Sequence, residues 1–439
     1  MSVSAPTSTV GSFTREVFDA HLERVKHLPA WWLDRKRAAY ERFASLPMPA
    51  RTDEGWRFSN RSTLTLDGFQ PAAAPGGAVT TTPFARIAVA SLTFVNNTLT
   101  NRTAAAGDIA AQHGFVFDTL QNALLAQGDL VKTYLLAQPP KLGSDKFEAL
   151  HEAFLEDGAF VHVPKGVQVE LPVNVLHYAS GAGSAVFPHT LVIAEDQAKV
   201  TVADFFRSKN NGDMHFACGG NDLYVGHGAQ VTYIAMQDWS RETLSFQFNT
   251  TVVRRDARVM SLNLHAGARQ ARHESLSQLQ APGAHSEMLA LTIAQGAQEF
   301  DQRTLQIHQA PNTSSNLLYK NALLDRSKTV FSGLIVVDPD AQKTDAYQSN
   351  RNLMLSDEAE AHSLPGLEIQ ANDVRCTHGA TSARIDREQE FYLESRGISP
   401  VQAQELLVFG FFEEVLGKIE NQELHDSLTE IIREKFKRR

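Results

Sequence analysis

The residues of this chain best placed to do chemistry together are Cys376 and His378, in the run Val374-Arg375-Cys376-Thr377-His378. On an extended strand successive side chains point to opposite faces, so these two share a face, with Cα atoms roughly 7 Å apart. A thiolate and an imidazole at that spacing can share a soft metal or a cluster. Two ligands do not close a four-coordinate site, so a partner chain or a second region must complete it. The competing reading is a buried cysteine beside a structural histidine, because free Cys is among the most buried residue types. Cys218, which follows His215 and precedes Gly219-Gly220, has nothing nearby to complete a site and reads as structural.

Other chemistries find less support. Gly417-Lys418-Ile419 lacks the hydroxyl and the glycine loop of a P-loop. Gly181-x-Gly183 stands alone and does not open a helix, so no dinucleotide site is indicated. His151-Glu152 and His273-Glu274 lack the second histidine of a zinc protease motif, and no nucleophile elbow occurs. Nothing here hydrolyses ATP, so any ATPase must be another subunit. The carboxylates Asp338/Asp340 and Asp357/Glu358/Glu360 could serve a carbohydrate-active enzyme. They fall in turns, where Asp favours local backbone hydrogen bonds. Tryptophan after Trp56 is limited to Trp239, a poor lining for a saccharide cleft.

Composition sets outer bounds. The 439 residues carry 16 His but only 2 Cys, which excludes a disulfide framework, a self-contained zinc finger and a cluster held by four cysteines of this chain. A net charge of −9 does not favour a broad nucleic-acid surface. Met1 to Gly11 is Ser/Thr-rich without an apolar segment, and no run reaches the ~18 apolar residues of a membrane span. The expectation is a cytoplasmic protein.

Three textures follow one another, with boundaries expected at 1–158, 159–385 and 386–439. In the first, Trp32, Leu33, Ala39, Tyr40 and Phe43 recur at helical spacing between Pro29 and Pro47. Gln70 to Ala78 reads as a linker and Ala85 to Val95 as a strand. Further helices are expected at Leu120/Ala123/Leu124, at Leu130/Val131/Leu135 and over Lys146 to Leu155. In the second, short alternating β-branched runs take over, such as Val200-Thr201-Val202 and Val231-Thr232-Tyr233. The small residues preceding such runs, Gly166, Ala198, Ala229, Ala257 and Ala284, are spaced by 32, 31, 28 and 27 residues. That spacing marks stacked repeats, since a coil of two or three short strands cannot bury its own apolar face. The fold class expected is mainly β, a parallel β-helix core flanked by an N-terminal α-rich and a C-terminal α-helical domain, with a double-sheet sandwich as rival.

The third texture is punctuated by local signals. Asp386 with Gln389 fits a capping box, Gly397 a positive-φ stop, and Ser399-Pro400-x-Gln402 a second box. The helix that follows carries Leu406, Leu407, Phe411, Phe412 and Val415 around more than one face. A last helix aligns Leu424, Leu428, Ile431, Ile432 and Phe436, and its basic end, Arg433 to Arg439, compensates a helix C-terminus. So many apolar faces imply docking on the end of the β-domain, a partner protein, or both.

Four blocks together resemble the SufB/SufD family of iron–sulfur cluster assembly scaffolds. They are Leu46-Pro47 through Glu54-Gly55-Trp56-Arg57-Phe58; Lys146-Phe147 through Val163-Pro164-Lys165-Gly166; Cys376-Thr377-His378-Gly379-Ala380-Thr381; and Phe391-Tyr392-Leu393-x-Ser395-Arg396-Gly397. Thr377-His378-Gly379 stands where SufB proteins carry Glu-His-Glu, and Asn350 takes the place of a SufB cysteine, so the chain is similar to the SufD branch. The resemblance implies a right-handed parallel β-helix and a complex with a SufB-like subunit and a SufC-like ATPase. It implies a transient Fe–S cluster at the SufB–SufD interface with His378, and Cys376 beside it, as ligands. It implies ATPase contact through Leu406, Leu407, Phe411, Phe412 and Val415, and a non-catalytic role for this chain. Reduced flavin accompanies some family complexes, and no fingerprint here places it. Open β-helix edges also invite a homodimer of the isolated chain.

Overall fold

The computed structural model describes residues 9–72, 90–103 and 114–437. Its helices are α1 (Arg15–Arg24), α2 (Ala30–Ser45), α3 (Leu120–Ala126), α4 (Gly128–Tyr134), α5 (Asp145–Phe154), α6 (Arg387–Ser395), α7 (Pro400–Leu416) and α8 (Gln422–Lys437). Between α5 and α6 the chain is a β-solenoid of about eight turns. Successive strands alternate between two sheets, and each pairs with the strand of the coil before and after it. Sheet A runs from Val116–Thr119 to Glu360–Ile369, and sheet B from Thr98–Thr103 to Arg375–Arg384. From Val173 onward every pairing among the described residues is parallel, which replaces the sandwich alternative with stacked coils. Strands Ala90–Val95 and Val116–Thr119 join these sheets, so the β-structure starts upstream of residue 159. Of the expected strand Ala85–Val95, residues 85–89 lie outside the described residues, as do 73–78 of the expected linker and 438–439 of the basic end. Gln70–Pro71, expected as linker, pairs with Ser184–Ala185.

The repeat has a physical origin at one corner of each coil. Gly166, Gln197, Gly228, Asp256, Gly283, Asn312 and Lys343 all hold φ between 53° and 76°. Each amide at this corner donates to the next coil, as in Gln197 N to His227 O (2.7 Å) and Gly228 N to Arg255 O (2.8 Å). The residue after the corner turns into the interior, which is why Ala198, Ala229, Ala257 and Ala284 are small and buried. Gly166 is itself the left-handed residue, one step ahead of that alignment. Two further coils place Thr313 and Thr344 at the alanine position, with hydroxyls donating to Ala310 O (3.1 Å) and Ala341 O (2.8 Å).

Both sheets are covered on their outer faces. Against sheet A, Phe147 of α5 stacks on Phe246 at 3.9 Å, and Phe13, Phe18, Phe43 and Phe154 pack with Phe187 and Phe216. Trp32 with α3 and α4 packs on Leu191, Ile193 and Tyr224. Arg272 clamps the two layers: its guanidinium donates to Glu274 (2.6 Å), Asp301 (2.6 Å), Gly55 O and Leu142 O (2.8 Å each). Burial alone would raise the Asp301 carboxyl, but Arg272 and Arg303 hold it below its ordinary value.

Against sheet B lie α7 and α8. Val408, Phe412, Val415, Leu416, Leu428 and Ile432 pack on Ile234, Leu262, Leu289 and Leu291, which point outward from their strands. The C-terminal helices therefore fold back along the flank of the solenoid rather than capping its end. Their local signals act largely as expected. Ser399 and Gln402 form a reciprocal capping box with Pro400 first in the helix. Gly397 has φ +83°, with Ile398 N to Leu393 O (3.3 Å) and Gly397 N to Glu394 O (2.9 Å) closing the helix end. Asp386 caps α6 by accepting from Glu388 N (2.9 Å) instead of through a box with Gln389. Helix α1 had no counterpart in the sequence reading. Among the described residues no helix is long and apolar enough to cross a membrane.

Phe412→Ala should cost roughly 3–5 kcal/mol in urea denaturation, against less than about 0.5 for exposed Leu406→Ala. Arg272→Ala, which strands buried carboxylates, should cost roughly 3–5 kcal/mol. Asp301 is depressed in the fold, so its contribution is present above the unfolded carboxylate value and lost as pH falls through the folded one. The gap between Arg272→Ala and the parent chain should therefore shrink in acid.

Candidate functional site

The last coil is built differently from those before it. Strand Arg375–Arg384 pairs only with Asp345–Met354, and strand Glu360–Ile369 only with Lys328–Val337, leaving one edge of each unpaired among the described residues. In register, Cys376 lies beside Ala346, His378 beside Gln348, Ala380 beside Asn350 and Ser382 beside Asn352. Positions 346, 348, 350 and 352 are the buried, inward ones. Cys376 and His378 thus share a face, as the alternation predicts, and it is the inner face of the terminal coil. With no coil beyond to cover it, His378 is exposed and Cys376 half-buried.

Beneath this face the interior is polar. Gln348 spans the coil, its amide donating to Gly366 O (2.9 Å) and Gly333 O (3.3 Å). A Cβ at position 333 would sit 2.4 Å from Gln348 Oε1, so glycine there leaves room for the Gln348 amide. Asn350 Oδ1 accepts from Ser363 Oγ (2.6 Å) and Asn352 Nδ2 (3.0 Å). Asn352 Nδ2 also reaches Thr381 O and Ser382 Oγ (3.2 Å each), and Asn321 Nδ2 donates to Asn352 Oδ1 (2.8 Å). This amide ladder fixes the register of the edge strand and so the placement of Cys376 and His378. Sequence reasoning did not assign it; the alternation Gln348-x-Asn350-x-Asn352 is the signal that marks it.

Burial raises the Cys376 thiol above its ordinary value, the adjacent Asp345 adds to the rise, and a hydrogen bond at Ala346 opposes it. The site therefore holds a protonated thiol at neutral pH, a weak nucleophile and weak ligand until its surroundings change. Among the described residues no group of three His, Cys, Asp or Glu side chains could hold a metal ion. Cys218 is buried among Phe147 and Phe246, its thiol pushed well up by burial and its Sγ directed to Phe147 O (3.3 Å). The candidate carboxylates do not converge on a cleft. Asp340, Asp357 and Glu358 are exposed in turns, whereas Glu360, expected in a turn, is exposed at the start of strand Glu360–Ile369, and Asp357 pairs with Arg384 (2.8 Å).

The five apolar residues of α7 divide. Phe412 and Val415 are buried on sheet B, so their side chains are covered within this chain. Phe411 is partly packed beneath Lys320, whose Nζ lies 5.0 Å from its ring. Leu407 is half-buried and Leu406 is 51% exposed. Helix α6 buries no residue at all and presents Phe391 (71% exposed) and Tyr392 (55%).

A stacked parallel solenoid, flanked by helical layers and ending in an open coil, defines a β-solenoid protein. The comparisons give it a family. The SufBD core domain of the SUF system for FeS cluster assembly matches residues 177–411, and the SufBD N-terminal region matches residues 15–175. The chain belongs to the SufBD family, and its role is in iron–sulfur cluster assembly through the SUF system. It is 27% identical over 447 residues, covering all of both chains, to the iron-sulfur cluster assembly protein SufD of Bacillus subtilis. It is 31% identical over 291 residues to SufD of Escherichia coli, covering 65% of this chain and 68% of that one. A SufBD family protein of Synechocystis is 29% identical over 414 residues, covering 91% of this chain and 90% of its own length.

The thiol geometry predicts a labelling order. At about pH 8, iodoacetamide should modify Cys376 more slowly than a free thiol peptide, and Cys218 only after unfolding. Mass spectrometry of quenched samples reads this directly. Cys376 labelling faster than the peptide would contradict a raised thiol pKa.

Proposed function

We propose that this chain is the non-catalytic, SufD-type scaffold subunit of a SUF complex. It pairs with a SufB-type subunit through the open edges of its terminal coil. There it presents His378, with Cys376 beside it, to a nascent Fe–S cluster that is cargo and not a resident cofactor. A SufC-type ATPase docks on α6 and the exposed side of α7, where Phe391, Tyr392 and Leu406 are unburied.

The observation that carries this reading is the unpaired edge of strand Arg375–Arg384, with an exposed imidazole and a half-buried thiol on its inner face. Unpaired N–H and C=O rows recruit another strand. A partner strand continuing the sheet would bury both side chains and bring its own ligands to them. A second copy of this chain offers the same edge, so a homodimer of the isolated protein is the competing assembly. Reduced flavin gains no residue.

His378→Ala, assembled with the SufB and SufC partners, should lower cluster formation by at least about tenfold while the complex still elutes intact. Unchanged cluster yield sinks the ligand assignment. Removing α7 and α8 is a poor test of ATPase docking, because it would expose the sheet B face that they cover. Leu406→Asp with Phe391→Asp should instead reduce ATPase co-purification by at least about tenfold without lowering the melting temperature. Full retention of the ATPase would move its docking site elsewhere.

A further inference from the structure

A second site lies far from the terminal coil, where α2, α5 and residues 136–142 meet the outer face of sheet A. They enclose a cavity of about 370 Å³, the size of a small-ligand pocket. Its inner wall holds His151, His189, Asp222 and Glu274, all buried, and its rim holds the exposed Arg42 and Lys141.

The two histidines are hydrogen-bonded to each other, but the approach to Asp222 is not a hydrogen bond. His151 Nδ1 lies 2.7 Å from Cys218 O, which can only accept, so Nδ1 carries the hydrogen. Burial, and then the charge of His189, push His151 well below its ordinary pKa, leaving Nε2 a bare acceptor. His189 Nδ1, 3.1 Å away, must donate to it. His189 Nε2 then faces Asp222 Oδ2 at 3.4 Å, and that oxygen also accepts from Leu136 N (2.6 Å).

Two further carboxyls line the wall, those of Glu274 and Glu148. Glu274 Oε1 accepts from Ser144 Oγ (2.5 Å) and Arg272 Nε (2.6 Å). Its Oε2 has no hydrogen-bond partner, although the residue is only 2% exposed and lines the cavity. Glu148 lines the same cavity from α5. Burial and then the charges of Glu274 and Asp145 raise its pKa well above the ordinary value, opposed only in part by Arg42. The interior thus has acceptors in search of a cation, while the rim is cationic. Arg42 spends one nitrogen on Glu152 (2.8 Å). Phe248 and Leu276 supply apolar wall.

We propose that this cavity binds a small zwitterion, an α-amino acid with an apolar side chain. Its ammonium group lies between Glu148 and Glu274, its carboxylate meets Arg42 and Lys141 at the rim, and its side chain covers Phe248 and Leu276. An ammonium beside Glu148 favours the carboxylate, so binding releases a proton from Glu148. The assignment is independent of the cluster-assembly reading.

The test is calorimetric titration of the full chain with L-leucine, 4-methylpentanoate, which lacks the ammonium, and isoamylamine, which lacks the carboxylate. Leucine should bind at least about tenfold more tightly than either analogue, because a charge-assisted pair is worth that factor or more. Heats in two buffers of different ionisation enthalpy should report proton release. Glu148→Gln should weaken leucine by at least about tenfold and abolish the release. Lys141→Ala, on the exposed rim, should weaken leucine and leave the amine unchanged. No leucine binding by about 10 mM, or equal binding by the Glu148→Gln chain, would overturn the proposal.

Discussion

The backbone hydrogen bonds of each coil run to the coils above and below, not across its own width, and the rest of the structure depends on that arrangement. A strand such as Gln230–Asp238 takes its partners from Lys199–Ser208 on one side and Arg258–His265 on the other. The chain must return to the same register after each coil, and the number of residues it uses varies from 26 (Leu244 to Gln270) to 32 (Lys328 to Glu360). The left-handed corner is the fixed point of each coil. Its φ stays near 53–76° while the turns elsewhere change length, and its amide continues the ladder where the strands stop. Glycine, Asn and Asp take this conformation at little cost, whereas Gln197 and Lys343 are held in it by the neighbouring coil.

Stacking also explains why the two outer faces need helices. Sheet B turns Ile234, Leu262, Leu289 and Leu291 outward, and these would be a long exposed apolar face without α7 and α8. Sheet A mixes its outer residues, with Phe216 and Phe246 toward one end and Arg272, Glu274, Asp301 and Arg303 toward the other. The ion cluster is compensated because each guanidinium also reaches backbone carbonyls of residues 55, 57 and 142. A buried charge network of this kind fixes where the helical layer sits, since a shifted layer would leave those carbonyls and guanidiniums unpaired.

The parts of this fold that were legible in the sequence are those decided locally. The caps at Ser399 and Gly397 depend on a few adjacent residues, and Ala198, Ala229, Ala257 and Ala284 mark a corner that takes small side chains. The last two corners escaped notice because Thr313 and Thr344 solve the same packing problem with a hydroxyl bonded to the turn. The side on which the C-terminal helices dock was not legible. Strands buried on both faces read as continuous apolar runs, so an outward leucine looks the same as an inward one. The pattern also inverts in the last coils, where inward Gln348, Asn350 and Asn352 are polar. The pairing of Cys376 with His378 on one face followed from alternation alone. That this face points inward, over an amide ladder, needed the register with Asp345–Met354.

The two ends of the solenoid are finished in opposite ways, and that asymmetry locates the site. At the first end each sheet closes with an antiparallel strand, Thr98–Thr103 on sheet B and Val116–Thr119 on sheet A. Arg102 joins the two, bonding Phe117 O (2.8 Å) and Asp118 (2.7 Å), so a charged, reversed edge meets solvent there. Such an edge cannot extend a parallel stack and discourages pairing. At the last end both sheets stop on parallel strands in full register, and among the described residues no further strand pairs with either. A further parallel strand could be added without any rearrangement of this chain. Cys376 and His378 occupy the inner face of that strand, the place where the next coil's side chains would lie. In the proposed complex the chain that supplies the continuation sets their environment, and the half-buried thiol and exposed imidazole of the free edge are the state from which that pairing starts.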